Sequence, residues 1–301
     1  MGLRALIPGL SSRRRGHRAP AHDLTLSREE WYARINASPT ETDKIAAELR
    51  ALGLTVESRS VDLGEFEGWC QRHDHVVPKP DPVTLPPDIA RLSGGLRREK
   101  LLEYFLSTKL AALGPGRRVA DLGSAESSFL DLVVKDYGCE GWAVDPALAA
   151  LPKPSDPRLH HVPHLVSAAR TQLPTLDLIA LHCSFEMFTP REMTAVLDLA
   201  ESSLSPEGLL VVSPLYLADT RTVYSDAALP VPEPNDTVPT LRVGVKDYWS
   251  LPWSEWHSAG TLFDRLVRPH PQLSLTIHEI DNAHSVHPGC FLRYVGVWRR
   301  K

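Results

Sequence analysis

Two carboxylates at the ends of two short apolar runs are the residues of this chain best suited to hold a ligand. Asp121 lies in Val119-Ala-Asp-Leu122 just before Gly123, and Asp145 follows Gly141-Trp-Ala-Val144. Open parallel sheets bind ligands outside the carboxyl ends of their strands. A nucleotide-binding fold places its ribose-binding acid about 20 residues beyond the first strand and loop. One carboxylate can accept hydrogen bonds from both hydroxyls of a ribose. Between the acids the chain reads Gly123-Ser-Ala-Glu-Ser-Ser-Phe129, with Ser127 and Ser128 suited to cap a helix, and Pro146 follows the second acid. Asp121, Gly123, Ser124, Ala125, Asp145 and Pro146 are therefore the expected cofactor contacts.

The loop speaks against a pyrophosphate. Dinucleotide loops use three glycines so that backbone amides approach the phosphates, whereas only Gly123 is present and Glu126 would repel a phosphate. A cationic nucleoside without phosphates fits better. A second cluster follows the apolar run Leu178-Ile-Ala-Leu181, which emerges into His182, Cys183, Ser184 and Glu186. A neutral imidazole, with an ordinary pKa of about 6.5, can accept a proton near neutral pH. His182 is accordingly the expected catalytic base and a further cofactor contact. Glu186 is the second expected catalytic residue, orienting a substrate, while Thr189 and Pro190 supply the cap of the next helix. Cys183 reads as a small buried filler. Farther along, Tyr216, Asp219 and Tyr224 are the residues expected to bind a polar acceptor. Tyr248, Trp249, Trp253 and Trp256 either stack on it or form a small core. His257, His284 and His287 lack ligand spacing with a nearby acid, so no metal is expected.

The whole chain sets the context for these groups. Its 301 residues are 43% hydrophobic and 23% charged with a net charge of −4, values of an ordinary globular protein with no nucleic-acid footprint. Cys70, Cys139, Cys183 and Cys290 form no C-x-x-C pair, which argues against a zinc site or disulfide framework and for a reducing cytoplasm. No apolar run approaches the roughly 18 residues of a membrane helix. Leu3 to Leu10 is too short for a secretory core, and Leu6 stands where a myristoylation signal needs Ser or Thr.

The elements that must position the two clusters follow from periodicity. A basic tail, disordered, is expected over 1–26, then a small α/β unit over 27–75 opened by the capping box Ser27-Arg-Glu-Glu30. Prolines mark a connector over 76–92. A long amphipathic helix is expected from about Leu96 to Leu113, ended by Gly114-Pro-Gly116. From there strands alternate with helices: Val119–Leu122, Gly141–Val144, Arg158–Val162, Leu176–His182 and Leu209–Ser213, then two β-rich runs at Leu273–Ile280 and Cys290–Trp298. The expected fold is α/β, a doubly wound, mostly parallel sheet of seven strands with an antiparallel C-terminal pair and a small N-terminal appendage, occupying 93–301. A loop-rich insertion over 220–252 would cover the acceptor.

Asp121 and Gly123, the acid Asp145, and Leu204-Ser-Pro-Glu-Gly-Leu209 before a strand resemble the successive motifs of class I S-adenosylmethionine-dependent methyltransferases. Ala125 and Ser127 stand where the family's D-x-G-x-G-x-G has glycines, and Phe185-Glu-Met187 replaces its Leu-Glu-His triplet. His182-Cys-Ser-Phe-Glu186 with Val212-Ser-Pro-Leu-Tyr-Leu217 is similar to a bacterial subgroup met with surface-glycan and secondary-metabolite genes. The resemblance implies S-adenosylmethionine as cofactor and methyl transfer to a hydroxyl or amine of a small or glycan-linked acceptor. It also implies a helix beside the cofactor, which would bring Tyr104 and Lys109 to the ligand. The alternatives are a catalytically inactive methyltransferase-like scaffold and a nicotinamide-dependent oxidoreductase, the latter opposed by the missing glycines. Nothing in the sequence sets an oligomeric state.

Overall fold

A computed structural model describes residues 22–35, 39–73, 75, 87–124, 128–228, 238–246, 253–288 and 290–301. In chain order the elements are β1 (Leu24–Leu26), α1 (Arg28–Ile35), α2 (Pro39–Ala51), β2 (Thr55–Arg59), α3 (Leu63–His73), α4 (Pro87–Leu110), β3 (Arg118–Leu122), α5 (Phe129–Tyr137), β4 (Glu140–Val144) and β5 (Leu159–Val162). They continue with α6 (Val166–Ala169), β6 (Leu176–His182), α7 (Pro190–Ser203), β7 (Leu204–Ser213), β8 (Thr222–Asp226), β9 (Leu241–Val245), β10 (Trp253–Trp256), α8 (Ala259–Leu262), β11 (Leu273–Ile280), α9 (Ala283–Val286) and β12 (Tyr294–Arg300). The chain divides into two compact units, a smaller one from the described residues up to Gly53 with Tyr216–Arg265, and a larger one from Leu54–Leu215 with Leu266–Lys301.

The larger unit is built on an eight-stranded sheet in the order β2-β11-β12-β7-β6-β3-β4-β5. From β3 the chain steps outward through β4 and β5, then returns to the other side of β3 with β6 and β7, and all of these pairs are parallel. The strand order therefore reverses between β3 and β6. β12 runs antiparallel to both β7 and β11. The apolar runs of β3, β6 and β7 are buried because helices cover a parallel sheet. α5 contributes Phe129, Leu130, Leu132 and Val133 to that core, and it ends where Gly138 adopts φ 72°, a left-handed cap that suits glycine. Thr189 caps α7 by accepting from the Glu192 amide at 3.3 Å, and Pro190 opens it, as the sequence indicated.

The smaller unit holds a four-stranded sheet in the order β1-β9-β8-β10, parallel at β1–β9 and β8–β9 and antiparallel at β8–β10. Its capping box forms as read: the Glu30 amide donates to Ser27 Oγ at 3.2 Å and the Ser27 amide to Glu30 Oε2 at 2.7 Å. Arg221 and Arg265 both donate to buried Glu255 Oε1, at 2.8 and 2.7 Å, so two cations share one anion inside this unit.

Four expectations about organisation are corrected. β2 does not complete a separate N-terminal unit, because it adds to β11 as an eighth, parallel strand, Thr55 opposite Thr276 through Arg59 opposite Ile280. Leu24–Leu26 is not tail but a strand paired to β9, while residues 1–21 of the expected basic tail lie outside the described residues. The insertion over 220–252 contributes β8 and β9 to a sheet; its residues 229–237 and 247–252 lie outside the described residues. α4 begins at Pro87, inside the expected connector, of which 76–86 lie outside the described residues.

The meeting of β7 and β12 leaves no room at Gly296, where an added Cβ would lie 2.6 Å from Trp298 Cζ3 and 3.1 Å from Leu215 Cδ2. Trp298 is fully buried and cannot swing aside. Gly296→Ala should destabilise the protein by about 1–3 kcal/mol through overpacking, read as a lower urea midpoint with unchanged slope.

Candidate functional site

The carboxyl ends of β3 and β6 flank the point where strand order reverses, which is where an open α/β sheet forms its ligand crevice. Asp121, Gly123 and Ser124 come from the first, and His182, Cys183, Ser184 and Glu186 from the second. Asp121 is 1% exposed and His182 7% exposed, with Oδ1 3.5 Å from Nδ1. The other ring nitrogen of His182 lies 2.9 Å from Ser107 Oγ on α4, and the ring packs edge-on against Tyr104 and Phe129. Asp121 and His182, expected on one site from the sequence, are thus brought together.

Burial here leaves polar atoms without partners. Among the described residues Asp121 Oδ2, Ser124 Oγ, His182 Nδ1, Glu186 Oε2 and Ser213 Oγ are buried with no hydrogen-bond partner, and all five belong to the ends of β3, β6 and β7 or the turns after them. Such groups each cost about 1–3 kcal/mol unless something bonds them. A polar ligand is one thing that would.

Below them α4 supplies residues that the sequence reading passed over. Lys100 Nζ donates to Glu103 Oε2 at 2.7 Å and to the His182 carbonyl at 3.1 Å, pinning the end of β6. Cys183, held at φ 50°, donates its thiol to Glu103 Oε1 at 3.0 Å. Glu99 is buried and accepts from the Phe291 amide. Burial, with Glu103 nearby, pushes the Glu99 carboxyl up to about 8, and burial pushes Glu186 up to about 7. Burial works against the Lys100 charge, but the Glu103 carboxylate hydrogen-bonded to it outweighs this and holds its pKa above the ordinary lysine value. Burial holds the Cys183 thiol well above its usual range, so it is a neutral donor. Glu99, Lys100 and Glu103 stand among several charged residues of an amphipathic helix, so their spacing alone does not mark them as buried. Buried acids and lysines are found only when paired.

The remaining expected residues have other surroundings. Gly123 adopts φ 67°, and a Cβ there would meet Ser184 Cβ at 2.7 Å and Phe188 Cε1 at 3.1 Å, so the protein's own side chains pack against it. Asp145 sits at the end of β4 beside β3, and its Oδ1 accepts from the Ala147 amide at 2.7 Å, capping a 3₁₀ turn over Pro146–Ala150. Pro146 is exposed. Ala125 lies outside the described residues. Tyr104 faces the site through His182, whereas Lys109 pairs with Glu65. In the smaller unit Tyr216 stacks on Trp256 at 4.7 Å and Asp219 pairs with Lys44 at 2.8 Å. Tyr224 is 3% exposed between Trp31 and Trp256, which corrects its expected acceptor role: it is a core residue of that sheet.

No protein-family model matches the chain, and no curated protein is significantly similar to it. Solved structures do overlay on it. A 1,6-didemethyltoxoflavin N1-methyltransferase from Burkholderia thailandensis is 16% identical over 82% of this chain and 93% of its own, with a TM-score of 0.43. A methyltransferase of calicheamicin biosynthesis is 15% identical over 71% of this chain and 57% of its own, at 0.42. The cyclopropane synthase MmaA2 of Mycobacterium tuberculosis is 16% identical over 42% of this chain and 43% of its own, at 0.31. The chain thus spans less than two thirds of the length of the last two. Overlays of this degree assign no activity, and the fold rests on the strand order above.

Raised carboxyl values carry a consequence for stability. Unfolded, Glu99 and Glu186 release protons near the ordinary 4.5, whereas the folded protein keeps them to about 8 and about 7. Folding therefore takes up protons across that interval, and their contribution to stability falls as pH rises from about 4.5 to about 8. A Glu99→Gln, Glu186→Gln double variant should show a flatter dependence of melting temperature on pH between 5 and 8 than the parent. An unchanged slope would contradict the assignment.

Proposed function

We propose that the larger unit is an S-adenosylmethionine-dependent methyltransferase acting on a small acceptor, a free metabolite or a glycan-linked group, through a hydroxyl or amine. The observation that carries this reading is the set of buried, unpartnered polar atoms gathered where the strand order reverses. Asp121 favours a cation over a phosphate there, in keeping with a sulfonium nucleoside. Asp145 at the adjacent strand tip is the acid in position for a ribose.

S-adenosylmethionine, when bound, supplies a methyl group activated as an electrophile. What this chain adds is positioning and removal of a proton, and positioning alone can account for much of a rate enhancement. His182 is held by Ser107 through one ring nitrogen and faces Asp121 with the other, which suits it to set the shape of the site. Glu186, pushed up to about 7 by burial, titrates in the neutral range and can accept a proton there. One observation favours the scaffold reading: Ser184 and Phe188 fill the space at Gly123 that a glycine-rich cofactor loop keeps for its ligand.

Isothermal titration with S-adenosylhomocysteine decides between the two. The methyltransferase reading expects saturable binding at micromolar ligand, weakened at least tenfold by Asp121→Asn and by Asp145→Ala with the fold intact by circular dichroism. No heat at high micromolar ligand would leave the scaffold. For an acceptor found by screening, the rate should rise with pH through about 7 and lose that limb in Glu186→Gln.

A further inference from the structure

On the opposite edge of the large sheet, where α7 ends and β11 begins, a second group of potential ligands converges. Asp198 and Glu201 stand three residues apart on α7, and His270 sits in the turn ahead of β11. His270 Nδ1 lies 3.6 Å from Glu201 Oε1 and 3.8 Å from Asp198 Oδ1. The three donor atoms fall within 4.8 Å of one another. We propose that His270, Asp198 and Glu201 form a binding site for a divalent transition cation of the zinc or cobalt class.

Acidic residues near one another on a helix are common and mean little alone. The imidazole is what distinguishes this cluster. His270 is 4% exposed, and among the described residues neither ring nitrogen has a hydrogen-bond partner; Glu201 Oε1 is likewise buried and without one. A buried imidazole aimed at two carboxylates and bonded to neither leaves its lone pair for a cation. The turn holding it is fixed, the His270 amide donating to the Val267 carbonyl at 3.1 Å and the Leu273 amide to the His270 carbonyl at 3.0 Å. Bonds of about 2.1 Å to imidazole and carboxylate place adjacent donors about 3.0–3.4 Å apart, a contraction of a few tenths of an ångström from the two imidazole–carboxylate distances here. Imidazole beside carboxylates suits zinc, cobalt or iron better than calcium or magnesium, which prefer all-oxygen sets.

Three protein donors leave coordination positions open. Asp198 and Glu201 also line a cleft of about 600 Å³, with Arg170, Ser202, Gln272, Arg300 and Lys301. Those cations would oppose a bare metal ion at longer range but suit an anion completing its coordination. Arg300 is partly engaged, donating to the Leu204 carbonyl at 3.0 Å.

The test uses the full chain, stripped with chelator and returned to chelator-free buffer. Cobalt(II) is titrated by calorimetry and visible absorption, followed by zinc competition. One equivalent should bind with micromolar or tighter affinity, with a d–d band that zinc abolishes. An Asp198→Asn, Glu201→Gln variant should lose at least tenfold in affinity, while Glu207→Gln, at an exposed position of β7, should match the parent. Asp198 and Glu201 side chains are 47% and 27% exposed, so both variants are expected to fold. Should the double variant not fold, Asp198→Asn alone serves. No saturable binding to the parent protein, or undiminished binding to the folded variant, overturns the proposal and leaves an ordinary ion pair between His270 and α7.

Discussion

Carboxylates buried at the open end of a parallel sheet have to be compensated locally, and in this protein one lysine does most of it. Lys100 Nζ touches Glu103 and the His182 carbonyl together, so the same cation neutralises an acid on α4 and fastens the last residue of β6. Without it Glu103 would lose its direct counter-charge, and breaking a buried pair in that way typically costs about 3–5 kcal/mol. The hold extends further. Cys183 donates to the same carboxylate from a left-handed backbone that costs about 1–3 kcal/mol in isolation. The direction in which the chain leaves β6, and hence the placing of Ser184 and Glu186, depends on that network.

The network also separates the acids by environment. Glu103 faces an ammonium, whereas Glu99 is desolvated next to Glu103 and Glu186 is desolvated alone, so the last two keep their protons to about 8 and about 7. Neighbouring carboxyl groups with separated titrations are what acid–base chemistry near neutral pH needs. A purely structural cluster would gain from having every oxygen bonded, and the unpartnered Glu186 Oε2, Asp121 Oδ2 and Ser213 Oγ do not fit that description.

Legibility in the sequence followed the range of the interaction. β6 and β11 were readable to the residue because each is an apolar run in a parallel or closing pair, and the Ser27 and Thr189 caps because capping is a matter of three residues. Asp121 and His182 were readable as occupants of one edge because strand tips at a reversal must meet. Lys100 and Glu103 were not singled out, since a charged pair on an amphipathic helix has the same spacing whether it faces water or a sheet. The packing at Gly123 was hidden too. Its glycine was visible, but that Ser184 and Phe188 occupy the space follows only from a contact across 61 or more positions.

The smaller sheet shows the same limit more sharply. β1 pairs with β9 across more than 200 residues of chain, Leu24 opposite Val243, and no local pattern announces a three-residue strand whose partner is so distant. β8 and β9 are consecutive and yet parallel, a pairing that a hairpin turn does not make. The prolines of the sequence between them are what make the region read as loop. The sequence expectation of an acceptor contact at Tyr224 has this origin. A tyrosine in a loop invites a ligand, whereas a tyrosine in the second strand of a sheet, wedged between Trp31 and Trp256, supplies the apolar area that so small a sheet needs in order to hold.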